Sequence, residues 1–203
     1  MSKRTRTGAL LVLAATVLGA AATAPANAAP HVPGFLTVGD LPAASSAWTA
    51  GRVTAGVPEE TEQDTCLQLA LPGQADTWYR DFRTDLDTGA RQISVVLPDT
   101  AAAKGLFARV NQDIRSCPAR IEEAYPWARA EFKDYGTLAV EDGAHVYGLH
   151  TGTAWGAADV RLLSVGRDGR TVTVVDWGRL GGFEGVPVKA FKRTTVTAVD
   201  RLA

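Results

Sequence analysis

The residues with the most direct chemistry are two cysteines, Cys66 and Cys117, the only ones in a chain of 203 residues. They lie about fifty positions apart with no histidine beside either, which is neither zinc-site spacing nor a C-x-x-C redox pair. In an oxidising compartment such an isolated pair predicts one structural disulfide. Closing a loop of that length is worth on the order of 4 kcal/mol in the chain-entropy model. Other candidates are sparse. No serine sits in a G-x-S-x-G elbow, and His145 and His150 are separated by five positions, so on one strand they face opposite sides of a sheet and are expected to be structural histidines, not a metal pair. Asp81, Asp85, Asp87 and Gly89 resemble a fragment of a calcium loop, but the later oxygen ligands and the closing Glu are missing, and a hairpin turn explains them better. Asp81 and Asp85 are also the pair that could do acid/base work, with surface solvation as the plainer reading. The loop Gly178 to Gly185 lacks the spacing of a phosphate-binding motif and reads as a connector. Five tryptophans remain. Trp155 and Trp177 sit in or beside loops, and together with Trp127 and Tyr135 they form the candidate ligand groove, against the alternative that they anchor a core.

The start of the chain sets the compartment. Lys3, Arg4 and Arg6 precede an unbroken run of small and apolar residues from Gly8 to Ala24, followed by Ala26-Asn27-Ala28. That order predicts a secretory signal over residues 1–28, favoured over a retained anchor because the run is rich in Ala, Gly and Thr and a small-residue cleavage site follows. No Cys in this region could carry a lipid, and no later segment reads as transmembrane. The expected product is extracellular, free or wall-associated. Of the 203 residues, 175 remain, enough for one domain. The signal holds three of the 21 basic residues and none of the 22 acidic ones, leaving 18 against 22. A mildly acidic chain without a basic stripe points away from nucleic acid.

Residues 29–39 read as a flexible leader and 40–203 as the domain. Asp40 is expected to cap a short helix over Leu41 to Trp48, and a short strand is expected near Cys66 to Leu71. Thr77 to Leu86 and Arg91 to Leu97 predict a hairpin turning at Asp87-Thr88-Gly89. Asp99 caps a helix whose stripe of Ala103, Leu106, Phe107, Val110, Ile114 and Cys117 is expected to end at Pro118. Strands over 131–140, 145–151, 158–167 and 170–177, with Asp142-Gly143 and Asp168-Gly169 at turns, predict a four-stranded meander, and Val188 to Leu202 a closing helix. The sum is an α+β domain, a mostly antiparallel sheet packed by two main helices.

This order of elements, with "SVVLPDTAAAKGLFARVNQDIRSC" closing on Cys117 and "VTVVDWG" before the last helix, resembles the PknH-like extracellular sensor domains of actinobacterial receptor kinases and their secreted relatives. The resemblance spans about Leu41 to Leu202. It implies a PsbP-like α/β sandwich with a cleft for a small extracellular ligand or envelope partner, no catalysis and no cofactor. Kinase-linked members carry two disulfides, whereas only Cys66 and Cys117 are present here, and no stretch of these 203 residues reads as a kinase domain. The expected function is therefore a secreted non-enzymatic binding domain. The alternatives are a small secreted hydrolase using paired carboxylates, and an exported protease inhibitor, which would need a rigid protruding loop.

Overall fold

The structure is a computed structural model and describes residues 32–202 except Pro72. The expected signal, residues 1–28, lies outside the described residues, as do 29–31. In chain order the strands are β1 (Thr49–Ala50), β2 (Thr54–Ala55), β3 (Thr77–Arg83), β4 (Gly89–Val96), β5 (Ala128–Leu138), β6 (Ala144–Thr153), β7 (Ala158–Asp168) and β8 (Thr171–Leu180). Two helices join them, α1 (Thr100–Ala124) between β4 and β5 and α2 (Val188–Asp200) after β8. All eight strands belong to one antiparallel sheet in the order β1-β3-β4-β8-β7-β6-β5, with β2 also on β3. The α+β architecture with two packing helices is as the sequence predicts, and so are the meander β5 to β8 and the β3–β4 hairpin.

Alternation along the strands divides the core between the sheet's two faces. Ile93, Val95, Leu163, Val165, Val172 and Val174 turn towards α1 and its stripe of Leu106, Val110 and Ile114. Val146, Leu162, Val175 and Trp177 turn the other way, towards Phe191 and Ala198 of α2. On that second face Gly166 lets α2 approach: a Cβ there would stand 2.2 Å from Val199 Cγ2.

Four local expectations are corrected. The helix over Leu41 to Trp48 does not form; a short 3-10 turn occupies Val38–Asp40 instead. Asp40 is not free to cap a helix after it, because its carboxylate accepts from the Thr37 N–H at 2.6 Å and hydroxyl at 2.7 Å and pairs with Arg201. Nor does the domain begin at Asp40. Phe35 and Leu36 are buried, Leu36 N–H donates to Gln92 Oε1 at 2.8 Å, and Arg80 and Arg201 donate to the Leu36 and Phe35 carbonyls. Cys66 to Leu71 forms helical turns, not a strand, with Gln68 N–H bonded to Asp64 O and Leu71 N–H to Leu67 O. Finally, α1 runs through Pro118 to Ala124. An interior proline costs roughly 3 kcal/mol, but the stripe continues four residues past Cys117 to buried Ile121, worth about 2 kcal/mol. Arg120 ties the same turn to the Asp113 carboxylate and the Thr65 carbonyl.

Tyr147 is the largest fully buried side chain on the α1 face. Its hydroxyl donates to Asn111 Oδ1 at 2.7 Å, and its ring stacks on His145 and Phe132. Burial pushes its phenol up to about 12, against a smaller opposing pull from Arg115. The unfolded chain releases this proton near pH 10 and the folded chain near 12. Stability present at neutral pH is therefore expected to fall between those values by on the order of 2 to 3 kcal/mol. Urea unfolding of the protein and of Tyr147→Phe from pH 8 to 11.5 checks this: the variant should lose most of the extra alkaline slope.

Candidate functional site

The irregular segment 58–71 lies beside α1, and one cluster holds it there. Cys66 and Cys117 are disulfide-bonded with Cα atoms 4.7 Å apart, as the sequence predicts. One turn earlier on α1, Asp113 is buried, and its Oδ2 accepts the Leu69 and Ala70 N–H groups at 2.9 and 3.2 Å. One turn later, Arg120 reaches back to the Asp113 carboxylate and also donates to the Thr65 carbonyl. Burial raises the Asp113 carboxyl above its ordinary range, opposed by the Leu69 N–H, the Arg120 charge and the Ala70 N–H. The helix turn thus supplies the segment with a covalent bond, a carboxylate and a guanidinium at positions three and four apart on one face.

The two walls so joined enclose a groove of about 640 Å³, lined by Gln63, Thr65 and Gln68 of the segment and by Arg120, Glu123 and Tyr125 at the end of α1. Arg120 Nε is buried without a hydrogen-bond partner among the described residues. From Tyr125 a row of aromatic rings continues outward. Tyr125 and Trp127 have centroids 5.8 Å apart, and Trp127 and Trp155 6.3 Å apart at an interplanar angle of 34°. These are among the most exposed large hydrophobic residues described, at 45%, 51% and 67%. Trp127 precedes β5 and Trp155 lies in the β6–β7 turn, so both stand at the end of the sheet where α1 finishes.

Only half of the expected groove is therefore brought together. Trp127 and Trp155 meet, but Trp177 is 2% exposed and packs in the α2-side core with Val175, because it alternates with Asp176, which faces α1. Tyr135 packs on the same side, over Gly148, where a β-bulge at Asp134 and Gly136 breaks the register of β5. Tyr125 is absent from the expected groove because the helix is expected to end at Pro118, short of its true end at Ala124. The signal available was Tyr125-Pro126-Trp127, two aromatics around a proline after a run that still carried Ile121 on the helical stripe.

A second cleft of about 580 Å³, lined by more charged side chains, lies on the other side of the segment, over β4, β8 and β7. Here Arg161 bridges Asp64 and Asp176 at 2.6 Å each, and Arg91 bridges Asp81 at 2.5 Å and Glu60 at 3.4 Å. Burial alone would lower Arg161, but Asp176 and Asp64 more than offset it and hold the guanidinium above its usual range. Asp159, also in the cleft, is raised by burial, with Arg161 and His150 pulling the other way. Asp81 thus belongs to an ion pair, while Asp85 is exposed in the turn between β3 and β4, away from the strand face that Asp81 occupies. That turn closes through Thr84 N–H and hydroxyl bonds to the Thr88 carbonyl, which accounts for the residues that resemble a calcium loop.

His145 and His150 are on opposite faces, as their spacing predicts. His145 stacks on Tyr147 beneath α1 and bonds Asp134 at 2.5 Å, while His150 lies against Phe183 on the α2 side. The Asp134 carboxyl is held below its ordinary range: burial would raise it, but the bonds from His145 and the Gly136 N–H prevail. Compared with known protein families the chain matches none, and no curated protein matches it.

Removing the carboxylate of Asp113 would strand a guanidinium, the buried Ala70 N–H and the part-buried Leu69 N–H. Asp113→Ala is expected to cost about 3 to 5 kcal/mol, with the disulfide still formed. Urea unfolding together with a thiol titration checks both halves: a loss below about 1 kcal/mol would remove Asp113 from this anchoring role.

Proposed function

We propose that this chain is a secreted, non-enzymatic binding domain that takes a small extracellular ligand or an envelope component in the groove between the segment 58–71 and α1. The observation that carries the reading is the exposed row Tyr125, Trp127 and Trp155 running directly into a polar groove. A monomeric domain rarely leaves such aromatic area in water without a use, and rings on loops above a rigid scaffold suit recognition. The disulfide supports export, because such bonds persist in oxidising compartments. Among the described residues no helix is long and apolar enough to cross a membrane.

Kinship with the PknH-like sensor domains is part of the same proposal. It is supported by the two-helix antiparallel architecture and by an Ala-rich helix carrying Cys117 in a disulfide. The two other readings find less support. A hydrolase built on Asp81 and Asp85 would use one carboxylate committed to Arg91 and another exposed in a turn. An inhibitor would need the disulfide to brace a projecting loop, whereas Cys66 and Leu67 are buried against α1.

A thermal-shift screen of the oxidised protein against envelope fragments, small metabolites and divalent metals tests the proposal, since a ligand of the native state raises apparent stability by mass action. One chemical class is expected to raise Tm in a concentration-dependent way, and Trp127→Ala/Trp155→Ala to abolish the shift. No shift from any class, or one that survives the double variant, would count against a ligand in this groove.

A further inference from the structure

We infer that the ligand of this groove is a neutral saccharide built of pyranose units with equatorial substituents; the inference deepens the binding proposal and rests on it. A pyranose whose hydroxyls lie around its equator presents two flat faces of C–H groups. Those faces pair with the electron-rich faces of aromatic rings, while the rim needs donors and acceptors. The groove offers both in the right relation. Tyr125, Trp127 and Trp155 are exposed rings at successive centroid steps of 5.8 and 6.3 Å, tilted by 56° and 34° to one another, a row longer than one sugar unit. Gln63, Gln68 and Glu123 line the adjoining cavity with planar amide and carboxylate groups, each able to make paired hydrogen bonds to neighbouring hydroxyls.

Charge separates this occupant from others. Arg120 is neutralised by Asp113, and Arg129 beside the row gives its guanidinium to the Pro126 and Ala128 carbonyls. Glu122 and Glu123 are exposed on the last turn of α1. No surplus of positive charge among the described residues of this groove awaits a phosphate or an anionic lipid surface, where aromatic belts work together with Lys and Arg. Fixed positions argue in the same direction. The walls are tied by the disulfide and by Asp113, so the groove is preformed and spends little of its binding energy on ordering.

Tryptophan fluorescence of the oxidised protein, titrated with cello-oligosaccharides and with N-acetylglucosamine oligomers of two to six units at low and high salt, tests this. Trp127 and Trp155 are exposed while Trp78 and Trp177 are buried, so stacking should shift the emission to the blue. Affinity is expected to rise with chain length, to be insensitive to salt, and to fall at least tenfold in Trp127→Ala and in Trp155→Ala, with both variants melting as the parent does. Absence of a saturable response to either series would overturn the saccharide inference. If phosphatidylglycerol vesicles or another class from the thermal screen then bind in a manner abolished by the two substitutions, the groove stands and only its ligand class is wrong. Equal binding of oligosaccharide by parent and double variant would overturn the groove itself.

Discussion

The segment between β2 and β3 makes no strand pairing of its own, and the end of the molecule that holds both clefts depends on how α1 grips it. Hydrophobic burial of Cys66, Leu67, Ala70 and Leu71 brings the segment to the helix but is not directional. Direction comes from Asp113, whose carboxylate fixes two consecutive backbone N–H groups, and from Arg120, which takes both that carboxylate and the Thr65 carbonyl. A buried ion pair of this kind is costly to assemble and costlier to break. Its value lies in fixing one arrangement of the segment, which then serves two clefts at once: Asp64 faces Arg161 on one side, and Gln63 and Thr65 line the groove on the other.

The second determinant is strand parity. Each strand offers alternate side chains to α1 and α2, and along β8 the change from Val175 to Asp176 to Trp177 moves from core to cleft to core in consecutive residues. The charged cleft exists because, near this end of the sheet, the α1-facing positions become Arg91, Arg161 and Asp176 where further along they are Ile93, Leu163 and Val174. The α2-facing positions remain apolar at the same level, as Ala90, Leu162 and Trp177. One end of one face is thereby released from core duty.

The elements with strong periodicity were legible from sequence: the α1 stripe, the Asp168-Gly169 hairpin and the alternation of the meander each state their geometry in a few residues. So was the disulfide, because only one pairing is possible. The features hidden from sequence depend on distant partners. Nothing local marks Leu36 as core, since its burial rests on Gln92 and Arg80, more than forty positions away. Asp40 looks like a cap for the residues after it, and its alternative use with Thr37 and Arg201 needs the C-terminal helix in place. The continuation of α1 through Pro118 likewise rests on tertiary contacts that outweigh a local rule. Of the candidate groove, Trp127 and Trp155 were legible as loop aromatics, but their meeting depends on β5 and β6 pairing Ala128 with Thr153.

The pairing of β4 with β8 joins Gly89 to Gly178 and Val96 to Thr171, the most distant ladder between long strands in the sheet. A chain emerging from its N-terminus would complete β3, β4 and α1, and could oxidise Cys66 with Cys117, long before β8 exists. Until then the inner edge of β4 is an open row of backbone donors and acceptors flanked by Ile93 and Val95, the kind of edge that recruits strands from other molecules. Assembly of this protein is thus a race between the late arrival of its own β8 and adventitious partners, and the early crosslink, by shrinking the unfinished half, tilts that race towards the chain's own strand.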